Sequence, residues 1–189
     1  MAALAESIKD NIITNARIVA VISNNPKAAG IEKAKELGLN TIIINSKEYK
    51  DKNLYEEKLI ETLKNLDIDL ICLAGYMKIV GSKIIKSFHN KIINIHPALL
   101  PSFPGLDAQK QALGYGVKVT GCTVHFVDEG MDTGPIILQK SVKIKENDTV
   151  ESLSNRILEK EHILYSEAVN LFVNDKLEIH GRKVFIKGE

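Results

Sequence analysis

Arg17-Ile-Val-Ala-Val-Ile-Ser23 is a near-continuous apolar run. It reads as a buried strand, because a strand covered on both faces has no polar side to alternate with. Thr41-Ile-Ile-Ile44 and Ile68-Asp-Leu-Ile-Cys-Leu73 read the same way. Between the first two, Pro26 to Leu37 predicts a helix opened by a proline and stopped by Gly38. Asn53 to Leu66 predicts a second, with Leu54, Leu59, Leu63 and Leu66 near helical spacing. Strand and helix in this alternation predict an α/β domain: a mostly parallel open sheet with helices on both faces.

The composition agrees with one domain. The chain has 189 residues, 44% apolar and 26% charged, an ordinary globular balance. A net charge of +1 argues against a nucleic-acid binder that works by charge. Aromatics at 5% and no Trp argue against stacking on single strands. No apolar run approaches the roughly 20 residues of a membrane span. The opening MAALAESIKDN carries Glu6, Lys9 and Asp10 and does not read as a secretory signal. Cys72 and Cys122 lack C-x-x-C spacing, so neither a disulfide framework nor a zinc site is expected, and the cytoplasm is the expected setting.

The second half holds the candidate chemistry. Lys91 to Ile95 predicts a strand ending at His96-Pro97. Pro97 to Asp107, with three prolines and Gly105, predicts a long functional loop. Lys118 to Val127 and Pro135 to Ile144 predict two further strands around the turn-rich loop Asp128–Gly134. Thr149 to Val173 predicts a long helix capped by Thr149, with Leu153, Ile157, Ile163 and Val169 toward the core.

Asn94 and His96 flank Ile95, so strand alternation points both to one face at the rim where open α/β sheets bind ligands. An amide donor beside an imidazole suits a developing oxyanion plus proton transfer. Asp132 can orient that imidazole and favour its protonated form. The plainer reading makes Asn94 a turn cap and His96 a satisfied core histidine. His125 reads as structural support beside this group.

Asn94-Ile-His-Pro-Ala-Leu-Leu-Pro-Ser-Phe-Pro-Gly105 resembles the signature of the folate-dependent formyltransferases. Gly116-Val-Lys-Val-Thr-Gly-Cys-Thr-Val-His-Phe-Val-Asp-Glu-Gly-Met-Asp-Thr-Gly-Pro-Ile-Ile137 resembles their second signature. The similarity is greatest to the branch that acts on glycinamide ribonucleotide in purine synthesis. It extends from about Ala3 to the C-terminal helix, and both motifs are long. The resemblance implies one formyltransferase domain over residues 1–189, of the Rossmann-like formyltransferase type. It implies 10-formyltetrahydrofolate as co-substrate, glycinamide ribonucleotide as acceptor, no metal, no nucleic acid, no membrane, and a monomer or homodimer. Asn94, His96 and Asp132 match the family's catalytic trio. Met77, Lys78, Ile79 and Val80 match the segment whose backbone receives the pterin, and Lys52 matches a basic residue near the folate. Asp128, Glu129, Gly130, Met131 and Asp132 match the loop that closes on the pterin. Leu158, Glu159, Lys160 and Glu161 match the helical segment that reaches the ribonucleotide, with Glu161 on the ribose hydroxyls.

Two rival activities share the same trio or pocket. A formyltetrahydrofolate hydrolase would turn it on water, and an inactive remnant would keep only the folate site. The hydrolases carry a hydrophilic residue beside the His where Pro97 stands here, and a departure from the family favours the remnant. Members begin with a strand and a Gly-Ser-Asn-type loop that cradles the phosphate at a helix start, and Met1 to Ser7 matches the helix after that loop. The expectation is therefore a missing first central strand, two unpaired sheet edges and an incomplete phosphate site. Expressed alone, such a chain is expected to be poorly soluble or nearly inactive.

Overall fold

A computed structural model describes residues 1–76 and 78–188. The elements run α1 (Ala2–Lys9), β1 (Val21–Ser23), α2 (Ala29–Glu36), β2 (Thr41–Ile43), α3 (Lys52–Asn65), β3 (Ile71–Cys72) and α4 (Ser82–Ser87). They continue β4 (Ile92–His96), α5 (Ala108–Tyr115), β5 (Val119–Phe126), β6 (Ile136–Lys143), α6 (Val150–Val173), β7 (Leu177–His180) and β8 (Lys183–Ile186). The α/β class expected from the sequence holds.

The sheet is mixed, which corrects the expectation that it would be mostly parallel. β1 and β2 pair in parallel as a sheet of their own. The other six strands lie in the order β3-β4-β5-β6-β8-β7. β3–β4 and β6–β8 are parallel there, while β4–β5, β5–β6 and β7–β8 are antiparallel. The connections explain the change. β5 to β6 and β7 to β8 are joined by short loops without a helix, and such loops can only reverse the chain. Among the described residues no ladder joins β1 to β3. β1 and β3 are accordingly half-buried, where the apolar runs predict full burial.

β4 is covered on both faces. Ile93 faces a core built with Leu4 of α1, Val124 and Phe126 of β5, and Leu153, Ile157, Leu164 and Val169 of α6. Ile92 faces the other core, with Leu63 of α3 and Ile84, Ile85 and Phe88 of α4. Burying each such side chain is worth about 1.5–3 kcal/mol.

α6 begins where its sequence predicts. Thr149 and Ser152 form a reciprocal capping box. Arg156 beside Asp148 pins the preceding turn and holds the Asp148 carboxyl well below the usual carboxylate range. Leu153, Ile157 and Val169 are buried as expected, but Ile163 is 64% exposed. Six residues beyond Ile157 is a rotation of about 240°, which takes Ile163 off the core face. The hydroxyl of Tyr165 donates to the carbonyls of Leu73 and Ile93 at 2.9 and 3.0 Å, tying the helix to the end of β3 and to β4. Helices α4 and α5 and the β7–β8 hairpin were not anticipated. α5 has no side-chain cap to announce it, because Asp107 sits at φ +56° instead.

Candidate active site

Strand alternation places Asn94 and His96 on one face of β4, and the antiparallel register sets His125 and Thr123 of β5 directly opposite them. His96 is buried among polar groups rather than in the apolar core. Its Nε2 lies 2.8 Å from the Phe103 carbonyl oxygen. A carbonyl only accepts, so Nε2 carries a hydrogen and Nδ1 is the nitrogen left for chemistry. That Nδ1 lies 3.4 Å from Oδ2 of Asp132.

Asp132 reaches this position through a strained backbone. It adopts φ +55°, in the left-handed region that Asp tolerates better than most residues. Its Oδ2 accepts from the Gly105 N–H at 2.8 Å, which ties the loop 128–134 to the loop 97–107. The return to β6 requires Gly134, because a Cβ there would run into the Phe126 carbonyl. Inside the loop Asp128 accepts from the Gly130 N–H and the Thr133 hydroxyl. Glu129 lies 3.8 Å from Lys86, and Gly130 and Met131 are exposed.

The loop 97–107 rests on Thr123. The buried Thr123 hydroxyl donates to the Ala98 carbonyl at 2.7 Å and accepts from the Leu100 N–H and from Gln139 Nε2, each at 3.0 Å. Gln139 also donates to the Leu100 carbonyl. This platform holds the Phe103 carbonyl against His96. Thr123 stands two residues before His125, so period-2 reading could have found it; Phe103 and Gly105 act through main-chain atoms and leave no side-chain signal.

His125 is buried, and burial lowers its pKa. Its Nδ1 lies 2.8 Å from the Phe126 carbonyl, and its Nε2 lies 3.4 Å from Asn94 Nδ2 and 3.7 Å from Asp132 Oδ1.

A cavity of about 460 Å³ opens beside α3, lined by Tyr49, Tyr55, Tyr76, Lys52, Lys78 and Ile79 among others. The structure thus brings together Lys52, Lys78 and Ile79. Lys52 pairs at 3.4 Å with the buried Glu56, and Lys78 Nζ lies 2.7 Å from the Ser46 hydroxyl and 5.6 Å from the centre of the Tyr55 ring. The Lys52–Glu56 pairing was open to the i, i+4 rule. Val80 packs against the α3–α4 core. Met77 lies outside the described residues.

The segment 158–161 belongs to the other face of the sheet. Leu158 and Glu159 are exposed, Lys160 and Glu161 half-buried. Burial pushes the Glu161 carboxyl up, and the charges of Glu161 and Lys160 both reach Cys122. Cys122 adjoins the Thr123 that pairs with His96. α6 packs on the face of β4 and β5 that carries Ile93, Cys122 and Val124, opposite the face of Asn94 and His96. Among the described residues no group of three His, Cys, Asp or Glu is placed to hold a metal ion, and no helix is long and apolar enough to cross a membrane.

The arrangement offers two hydrogen donors, Asn94 and His96, and one carboxylate at a strand end. Comparison with known proteins gives it a family. The formyl transferase model matches residues 1–169. A phosphoribosylglycinamide formyltransferase of Bacillus subtilis is 44% identical over 155 residues, covering 82% of this chain and 80% of that protein. A trifunctional purine biosynthetic protein adenosine-3 of Drosophila melanogaster is 43% identical over 160 residues, and the match spans 12% of its length and 85% of this chain. The crystal structure of glycinamide ribonucleotide transformylase 1 from Symbiobacterium toebii superposes with a TM-score of 0.94 at 46% identity, over 97% of this chain and 86% of that one. By the extent of these matches, the chain belongs to the formyl transferase family.

Proposed function

We propose that this chain transfers the formyl group of 10-formyltetrahydrofolate to the amine of glycinamide ribonucleotide; its relatives are named formyltransferases or transformylases of that ribonucleotide. The observation that carries the reading is the meeting of Asn94, His96 and Asp132 at the end of β4. The amine attacks the formyl carbon and forms the new C–N bond, and the carbonyl oxygen becomes an oxyanion. The side-chain N–H of Asn94 and Nδ1–H of His96 donate to that oxygen. Such donors are typically worth about 10²- to 10³-fold each in rate. Asp132, through a water, relays the proton of the attacking nitrogen to N10 of the folate. The C–N10 bond then breaks, and the folate leaves.

Folate is assigned to the cavity of Lys52, Lys78 and Ile79, with Val80 beside it and the loop Asp128–Asp132 closing over the pterin; Met77 is assigned to the pterin by its motif alone. The ribonucleotide is assigned to Leu158–Glu161, with Glu161 accepting from ribose hydroxyls. We read residues 1–189 as one formyltransferase domain, working in the cytoplasm as a monomer or homodimer.

The experiment is to follow loss of 10-formyltetrahydrofolate spectrophotometrically with and without glycinamide ribonucleotide. Acceptor-dependent loss with formation of the formylated ribonucleotide supports the reading. Loss that is indifferent to the ribonucleotide would make the protein a hydrolase, and no loss in either case would overturn an active enzyme.

A further inference from the structure

The hydrogen bonds of His125 define its tautomer. Nδ1 is 2.8 Å from the Phe126 carbonyl oxygen, which only accepts, so Nδ1 carries the hydrogen. The ring is buried within β5, where the uncharged form is favoured. Nε2 then presents a lone pair. Asn94 Nδ2 lies 3.4 Å from it, and Asp132 Oδ1, at 3.7 Å, is beyond hydrogen-bond reach. Asn94 and His125 are direct cross-strand partners in the β4–β5 ladder, so this proximity is built into the register.

An asparagine amide can turn either its oxygen or its nitrogen to a neighbour. Against a lone pair the oxygen is repelled and the nitrogen is bound. We propose that His125 is a positioning residue for Asn94: as the Nδ1–H tautomer it accepts one N–H of the Asn94 amide and turns the other toward the formyl oxygen. A ring protonated at Nε2 would reverse the preference, drawing the Asn94 oxygen in and presenting no donor to the oxyanion. The charged and titratable groups facing His125 are Asp132 and Asp128 of the loop 128–134 and His96 of β4. Burial, the largest influence, opposes the protonated ring, as does His96; the Phe126 carbonyl and the two carboxylates favour it, and the net direction is downward.

The inference rests on the formyl-transfer reading for its kinetic arm but not for its spectroscopic one. Ring ¹⁵N NMR on the full chain at pH 7 should show His125 protonated at Nδ1 and bare at Nε2. A protonated Nε2 would overturn the proposal whether or not the protein transfers formyl groups.

The kinetic arm uses two variants. In His125→Asn the amide nitrogen can replace Nδ1 but nothing replaces Nε2. In His125→Gln an amide oxygen reaches the Nε2 position. His125→Asn should lower kcat about 10- to 100-fold with both KM values within about threefold, and His125→Gln should recover most of that loss. Adding Asn94→Ala to His125→Asn should cost far less than Asn94→Ala alone, since the two residues act as one unit. Equal losses in the Asn and Gln variants, or strictly additive losses in the double variant, would overturn it.

Discussion

The main-chain carbonyl of Phe103 lies 2.8 Å from Nε2 of His96. It fixes the ring's hydrogen on that side and leaves Nδ1 to meet substrate. His96→Ala should lower kcat by roughly 10²- to 10⁴-fold. His96→Asn, whose amide reaches the Nδ1 position, should keep more activity than His96→Gln. Steady-state kinetics checks both, and the reverse order would mean that Nε2 faces the reaction.

Asp132 ties two loops together, and an electrostatic duty is proposed for it beside that scaffolding one. Asp132→Asn keeps an oxygen for the Gly105 N–H and suits φ +55° equally well, but it removes the charge. The expected result is a loss in kcat of about 10²-fold or more with a melting temperature within a few degrees of wild type. A large fall in melting temperature alongside kcat would reduce Asp132 to a loop tie.

Glu161 should trade stability for binding. Its carboxyl is raised by burial, so the folded state holds its proton to higher pH than the unfolded chain. That makes the ionised group a destabilising one above the ordinary carboxylate range, and the penalty fades as pH falls back through it. Glu161→Gln should therefore melt higher than wild type at pH 7 to 8, with the gap closing near pH 4. The same variant should raise KM for the ribonucleotide about tenfold or more, as loss of a charge-assisted hydrogen bond requires. Thermal melts across pH and substrate titrations test the two halves separately.

Thr123→Val keeps the shape of the side chain but strands the Leu100 N–H and the Ala98 carbonyl and takes one partner from Gln139. Buried polar groups left unpaired cost about 1–3 kcal/mol each, and Gln139 keeps its bond to the Leu100 carbonyl, so a loss of about 2–6 kcal/mol is expected in urea denaturation. Thr123→Ser should lose under about 1 kcal/mol. Activity should fall with stability in the valine variant, because the same platform holds the Phe103 carbonyl.

The site was legible where side chains obey a period. Asn94 and His96 share a face because β4 alternates, and Thr149 announces α6 because capping has a residue signature. Asp132 is far away in sequence from His96, and the chemistry of a carboxylate beside an imidazole suggested the pair before the resemblance supported it; the contact itself depends on a left-handed residue and on Gly134, neither of which a pattern of apolar residues encodes. Phe103 and Gly105 contribute a carbonyl and an amide, atoms that every position has. β1 and β2 read as buried because their side chains are apolar, yet burial depends on what lies alongside. α4 escaped for its shortness, six residues giving too few turns for a helical period to show.

Tyr165 reaches from α6 to the carbonyls of Leu73 and Ile93, and Glu161 stands one helical turn earlier on the same helix. Asn94 follows Ile93 directly. One phenol thus acts as the common datum from which both reactants are surveyed, the ribonucleotide proposed at Glu161 and the formyl group proposed at Asn94. Reacting atoms must close to about 3–3.5 Å, and a slip of about 1 Å can cost on the order of 10²-fold. That alignment rests on how α6 is held to the sheet, by the Tyr165 hydroxyl together with the packing of Leu153, Ile157, Leu164 and Val169 against β4 and β5.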